Sequence, residues 1–230
     1  MSLVLNKHSI GGDSSYRRIS VLDGEVKEAK LYYHRMNNSE KYMLDSCENV
    51  VTIFFLLSGD VSFCTKTSKY NFSEKAVYIN LPQQQVEIQT HMDSEIIEIK
   101  WPKLGPLDSN KFPYAQNYIN ATQYRDACKS EKSISRMLIN WNLIDGFALG
   151  SVETEGFDIV SKHCHPDKDQ IFFSFDENSV KLLIDEDEEA YENNCFVHIP
   201  LGSNHGVKVD KGSKAHYLWM DFDVLGEIKR

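Results

Sequence analysis

Ile53-Phe54-Phe55 and Ile171-Phe172-Phe173 repeat one strand-like text 118 residues apart. The same offset relates Leu81-Pro82 to Ile199-Pro200 and Trp101 to Trp219, and it lays Tyr78-Ile79 on Phe196-Val197. Landmarks that hold one offset over such a span mean two copies of one supersecondary unit. The text inside a copy is β text. Val50-Val51-Thr52-Ile53-Phe54-Phe55-Leu56-Leu57 stops at Ser58-Gly59-Asp60, Val61-Ser62-Phe63-Cys64 and Lys69-Tyr70-Asn71-Phe72 alternate, and Ala76 to Leu81 ends at Pro82. Ile96 to Trp101 completes the set. Many short strands between turn residues close into a small antiparallel barrel or jelly roll. The expectation is an all-β chain of two tandem barrels, residues 1–105 and 133–230, joined by a polar connector over 106–132 that contains Pro106 and Pro113. Residues 1–23 read as an arm or a first short strand, and Thr122 to Ser130 as a short helical turn.

Composition limits the function. The 230 residues are 41% apolar and 26% charged, ordinary for a water-exposed globular chain with a sizeable core. No apolar run reaches spanning length, and the start, Met1-Ser2-Leu3-Val4-Leu5-Asn6-Lys7, has no signal-peptide core, so the chain reads as cytoplasmic and unattached to membrane. A formal charge of −9 argues against nucleic acid or an anionic bilayer as partner. The acidic run Asp185-Glu186-Asp187-Glu188-Glu189 reads as a solvated hairpin turn. Five cysteines without a C-x-x-C fit reduced thiols. Cys164 reads as a small buried side chain.

The chemistry gathers in the second copy. Read as a strand, His163-Cys164-His165 puts both imidazoles on one face and Cys164 on the other. A third imidazole, His205, follows the turn Pro200-Leu201-Gly202. Three such groups can converge on one divalent metal, and imidazole suits Zn, Cu, Fe and Ni alike. Gln170 lies five residues beyond His165 and shares strand parity with Phe172 and Ser174, so its amide oxygen is the fourth candidate; Asp169 is the alternative.

These residues resemble the two motifs of the cupin superfamily, roughly G-x5-H-x-H-x3,4-E-x6-G and G-x5-P-x-G-x2-H-x3-N. His163, His165, Pro200, Gly202 and His205 match. Gln170 stands at the Glu position, Gly156 lies one residue too far upstream, the trailing Gly falls near Asn178, Asn194 replaces the Gly before Pro200, and Val209 replaces the final Asn. The resemblance implies a bicupin holding one divalent ion (Mn, Fe, Ni or Zn) in its second copy, a small-molecule ligand and a homodimer. Subtracting the offset from His163, His165, Gln170 and His205 lands on Asp45, Cys47, Thr52 and Glu87, so the first copy reads as degenerate. His198, His216 and Tyr217 are candidate acids or bases, and Arg136 is either a carboxylate binder or an ion-pair partner. Cupins with three His and one Gln are similar to the uronate-degrading cupins and to the bicupin ureidoglycine aminohydrolases. The implied function is an enzyme that isomerises, hydrolyses or dehydrates a small oxygen-rich metabolite on a Lewis-acidic metal, with dioxygenase chemistry open. The alternative is a non-catalytic binding, sensor or storage protein.

Overall fold

The structure is a computed structural model that describes residues 7–9, 17–44 and 47–224. Twenty-one strands run through these residues. In chain order they are β1 (Lys7–Ser9), β2 (Arg18–Val21), β3 (Lys30–Met36), β4 (Lys41–Leu44), β5 (Val50–Ser58), β6 (Val61–Cys64) and β7 (Lys69–Phe72). Then follow β8 (Ala76–Ile79), β9 (Val86–Thr90), β10 (Ser94–Pro102), β11 (Tyr114–Asn117), β12 (Thr122–Tyr124), β13 (Ile134–Ile144) and β14 (Phe147–Glu155). The last are β15 (Asp158–His163), β16 (Lys168–Ser174), β17 (Val180–Ile184), β18 (Asp187–Tyr191), β19 (Cys195–Ile199), β20 (His205–Val209) and β21 (Lys214–Asp223). Thr122 to Tyr124 is thus a strand paired with β13, where the sequence reading placed a helical turn; a short polar segment beside an open edge gains more from ladder hydrogen bonds than from one isolated turn.

The chain divides into two compact units. One is Gly12–Ala121 with Asn142–Asp145; the other is Met1–Gly11 with Thr122–Trp141 and Gly146–Arg230. The first, here the N-terminal unit, holds a six-stranded sheet ordered β11-β8-β5-β10-β3-β2 and a four-stranded sheet ordered β4-β9-β6-β7. The C-terminal unit holds a seven-stranded sheet ordered β1-β19-β16-β21-β14-β13-β12 and a four-stranded sheet ordered β15-β20-β17-β18. Each strand from β2 to β10 has a counterpart between β13 and β21, and the strand orders coincide. In each unit the two sheets share a core. Phe172, Val197 and Trp219 of the larger sheet meet Leu182, Val207 and Val209 of the smaller in the C-terminal unit. Phe54, Tyr78 and Ile96 meet Phe63, Val86 and Ile88 in the N-terminal unit.

The repeat is not rigid at the level of register. Phe54 faces Glu98 across β5 and β10, whereas Phe172 faces Trp219 across β16 and β21. The offset on the last strand is therefore 121 residues rather than 118, and an odd slip of three turns every side chain to the other face. Trp219 points into the core, and its counterpart in the N-terminal unit is Glu98, not Trp101.

Candidate metal centre

His163 and His205 face each other across β15 and β20. His163 is the last residue of β15, beyond an irregularity in the pairing that follows Val160, and His165 lies in the loop that leads to β16. The strand therefore ends two residues before His165, short of the strand expected over His163-Cys164-His165. Cys164 is exposed rather than buried, because loop backbone at a barrel rim has no second layer to cover it. The two imidazoles nonetheless converge: the ring centroids of His163 and His165 are 5.1 Å apart, those of His163 and His205 4.6 Å, and those of His165 and His205 5.6 Å. One nitrogen of each lies within 4.8 Å of the other two. Donors on one ion at bonds of about 2.1 Å are at most ~4.2 Å apart, so closing the set needs only small side-chain rotations.

A turn aims the third ligand. Ser203 N–H donates to Pro200 O at 3.0 Å, and Gly202 takes φ +74° at the third position, the conformation a type II turn demands. Asn194, which stands where the cupin motif has glycine, takes φ +50°. His205 Nδ1 lies 3.1 Å from Ser203 O, and His163 Nδ1 lies 2.9 Å from Ser161 O. A carbonyl only accepts, so in both rings Nδ1 carries the proton and Nε2 offers its lone pair. His205 Nε2 is buried with no hydrogen-bond partner. Burial holds the His205 imidazole down to about 4, with His163 and His165 adding to the effect against the Ser203 carbonyl. His165 is lowered too, first by burial and then by His163.

Gln170 sits beside the histidines in a cavity of about 180 Å3. Its partner is Asp221, directly across the ladder on β21, whose Oδ1 accepts from Gln170 Nε2 at 2.6 Å. That bond commits the amine half of the amide to the carboxylate and leaves Oε1 buried without a partner. Burial pushes the Asp221 carboxyl up to about 6, against the Gln170 hydrogen bond and the charge of Lys168. Asp169, one residue out of phase, faces the opposite way and meets His198 Nε2 at 3.3 Å.

The remaining candidates divide. Tyr217 is 2% exposed, lines the cavity and packs on Phe172 at 5.2 Å between centroids; burial raises its hydroxyl. His198 lies on the face of β19 away from the cavity. His216 lies on the outer face of β21, against Phe175 at 4.2 Å and Glu153 at 3.8 Å. The structure does not bring either into the cavity, because each alternates with the core-facing residues of its strand, Val197 and Ile199 on β19 and Ala215 and Tyr217 on β21. Arg136 forms its ion pair with Glu153. Asp221, Lys129 and Trp219 line the cavity and are not among the candidate site residues of the sequence. Parity groups Asp221 and Trp219 with Tyr217, so the signal for them existed once the inward face was known.

Among the described residues, the three histidines are the only group of at least three His, Cys, Asp or Glu side chains placed to share an ion. In the N-terminal unit Leu44 and Val86 face each other at the ladder position that His163 and His205 occupy. Gln83, with φ +68°, takes the role of Gly202, so the local offset is 119. Both replacements are buried apolar residues, and Asp45 lies outside the described residues.

No known family's sequence profile matches the chain. No curated protein sequence matches it either. Solved structures do. A putative glyoxylate-induced protein from Pseudomonas aeruginosa superposes with a TM-score of 0.78 at 11% identity, over 93% of this chain and 82% of that one. A cupin 2 conserved barrel domain protein from Leptotrichia buccalis gives 0.67 at 11% identity, over 96% and 99%. A variant of Bacillus subtilis oxalate decarboxylase gives 0.73 at 10% identity, over 97% and 78%; another structure of that decarboxylase concerns its Mn(II) centres. The fold is the all-β barrel fold of the cupins.

Proposed function

We propose that this chain is a metal-dependent bicupin enzyme whose C-terminal barrel binds one divalent ion through His163, His165, His205 and Gln170. The observation that carries the reading is a pair of buried orphan atoms: Gln170 Oε1, on a cavity wall shared with His163 and His165, and His205 Nε2, on a ring whose ligand nitrogen lies within 4.8 Å of theirs. A buried acceptor with no donor is costly by roughly 1–3 kcal/mol, and a cation satisfies both at once. All four donors are neutral, so a divalent ion would keep its full charge and polarise a substrate oxygen strongly. The protein's own part is orientation. Ser161 and Ser203 carbonyls hold two imidazole tautomers, and Asp221 holds the amide of Gln170 with its oxygen free. Tyr217 and Asp221 stand at the cavity wall where a hydroxyl or carboxyl can exchange a hydrogen bond with substrate. The cavity is smaller than drug-sized pockets of about 300 Å3 and more, which fits a small oxygen-rich metabolite undergoing isomerisation, hydrolysis or dehydration. Leu44 and Val86 at the matching ladder position support an N-terminal barrel, within Gly12–Ala121, that lacks the metal ligands.

Elemental analysis of protein purified without chelator, beside His163→Ala/His205→Ala, tests the reading. Near-stoichiometric metal in the parent and none in the variant is the expected result; the Mn(II) centres of oxalate decarboxylase make manganese the first ion to add back. A parent that takes up no ion after add-back would sink the proposal.

A further inference from the structure

The wall of this cavity carries a single side chain with a fixed positive charge. Lys129 comes from the segment between β12 and β13, and its side chain is 9% exposed. An ammonium has three donors. One goes to Tyr124 Oη at 3.0 Å. Asp126 Oδ2 stands at 3.6 Å, an electrostatic neighbour but beyond hydrogen-bond reach, and its own side chain is half in solvent. The Tyr124 ring lies 4.8 Å from Nζ and supplies a cation–π contact but no lone pair. Two donors of a nearly buried ammonium are thus left without an acceptor, on the lining of a cavity that also contains three of the candidate metal ligands, His163, His165 and Gln170. The other lysine nearby, Lys168, is bound to Asp223 at 2.8 Å and lies over Trp141 at 4.6 Å, outside the lining.

We infer that Lys129 is the anion-recognition residue of the site and that the ligand is a small carboxylate, held by its carboxylate at Lys129 and by another oxygen at the histidine end. The oxygens of a neutral ligand can accept from the ammonium but bring no opposite charge to it, whereas a carboxylate accepts both donors in charge-assisted bonds that gain strength in a low-dielectric pocket. Asp221 sets the orientation by repulsion: a carboxylate is favoured beside Lys129 and disfavoured at the Asp221 wall, where a hydroxyl can donate instead. This inference deepens the metal reading and rests on it for the second contact only.

The test uses matched probes that differ in charge: acetate against acetamide, glycolate against ethylene glycol, and glucuronate against glucose. Each is titrated into the full-length protein with and without Mn2+, with the fluorescence of Trp141 and Trp219 and calorimetry as readouts. At least one acid should bind about tenfold more tightly than its neutral match, a difference near 1.4 kcal/mol. Lys129→Met should remove that preference, and Lys129→Arg, which keeps the charge and folds as a check, should retain it. Metal content measured on the same samples should not change in either variant. No preference for any acid in the parent, or a preference that survives in Lys129→Met, overturns the inference. Loss of metal binding in the parent with the acid preference intact would instead count against the metal reading alone.

Discussion

Gly150 shows how one residue sets the cavity's shape. It faces Trp219 across β14 and β21, and a Cβ built on it would lie 2.2 Å from Trp219 Cζ2 and 2.6 Å from the Arg136 carbonyl oxygen. The indole lies over a gap that only glycine leaves, and it stacks on Trp141 at 6.4 Å between centroids. Gly150→Ala should therefore push the indole into the cavity and destabilise the fold by roughly 2 kcal/mol, as overpacked cores do. Urea denaturation measures the stability, and tryptophan fluorescence reports the indole; an unchanged midpoint and spectrum would show that the barrel absorbs the methyl group elsewhere. Nothing in the sequence marks this glycine, because the close approach joins residues that meet only through sheet pairing.

Strand β10 carries the corresponding exchange in the N-terminal unit, where Glu98 stands in the place of Trp219. Its carboxylate is fully buried, 2.6 Å from His34 Nε2 and 3.1 Å from Arg18 Nε. His34 is the buried partner of that carboxylate. Burial alone would raise the Glu98 carboxyl, but His34 and then Arg18 outweigh it and hold the group below the usual carboxylate range. A carboxyl whose folded value is depressed adds stability that is present above its unfolded value and lost as pH falls through the folded one. Glu98→Gln should thus cost on the order of 3 kcal/mol near neutrality. The gap between parent and variant should narrow as the medium is acidified below about 4.5. Urea melts of both proteins across that range test it, and a gap independent of pH would contradict the assignment. The repeated text pointed to Trp101 as the partner of Trp219. A strand's alternation is blind to a slip in pairing, and only the ladder shows that this one slipped by three.

At the scale of the whole chain, bound metal is a stabilising ligand. An ion that binds the folded protein at a hundred times its dissociation constant adds about 2.7 kcal/mol, which for a chain of this length raises the melting midpoint by roughly 5–10 °C. Chelator should reverse the rise, and His163→Ala/His205→Ala should not show it; a calorimetric scan decides. The sequence by itself determined the β class, the doubled unit and the three histidines, because turn residues, strand alternation and a short motif are local and survive in the order of the letters. It also placed Gln170 on the face of Phe172. Which face of β21 is the inner one, and so whether His216 or Tyr217 meets the cavity, was decided only when a second sheet covered one side. Tertiary structure likewise brought Asp221 to Gln170, Lys129 from the connecting segment to the cavity wall, and Cys164 to the surface. Those outcomes depend on cross-strand register and on loops folding over a rim, and a period-two pattern is the same for either face until a core exists to choose between them.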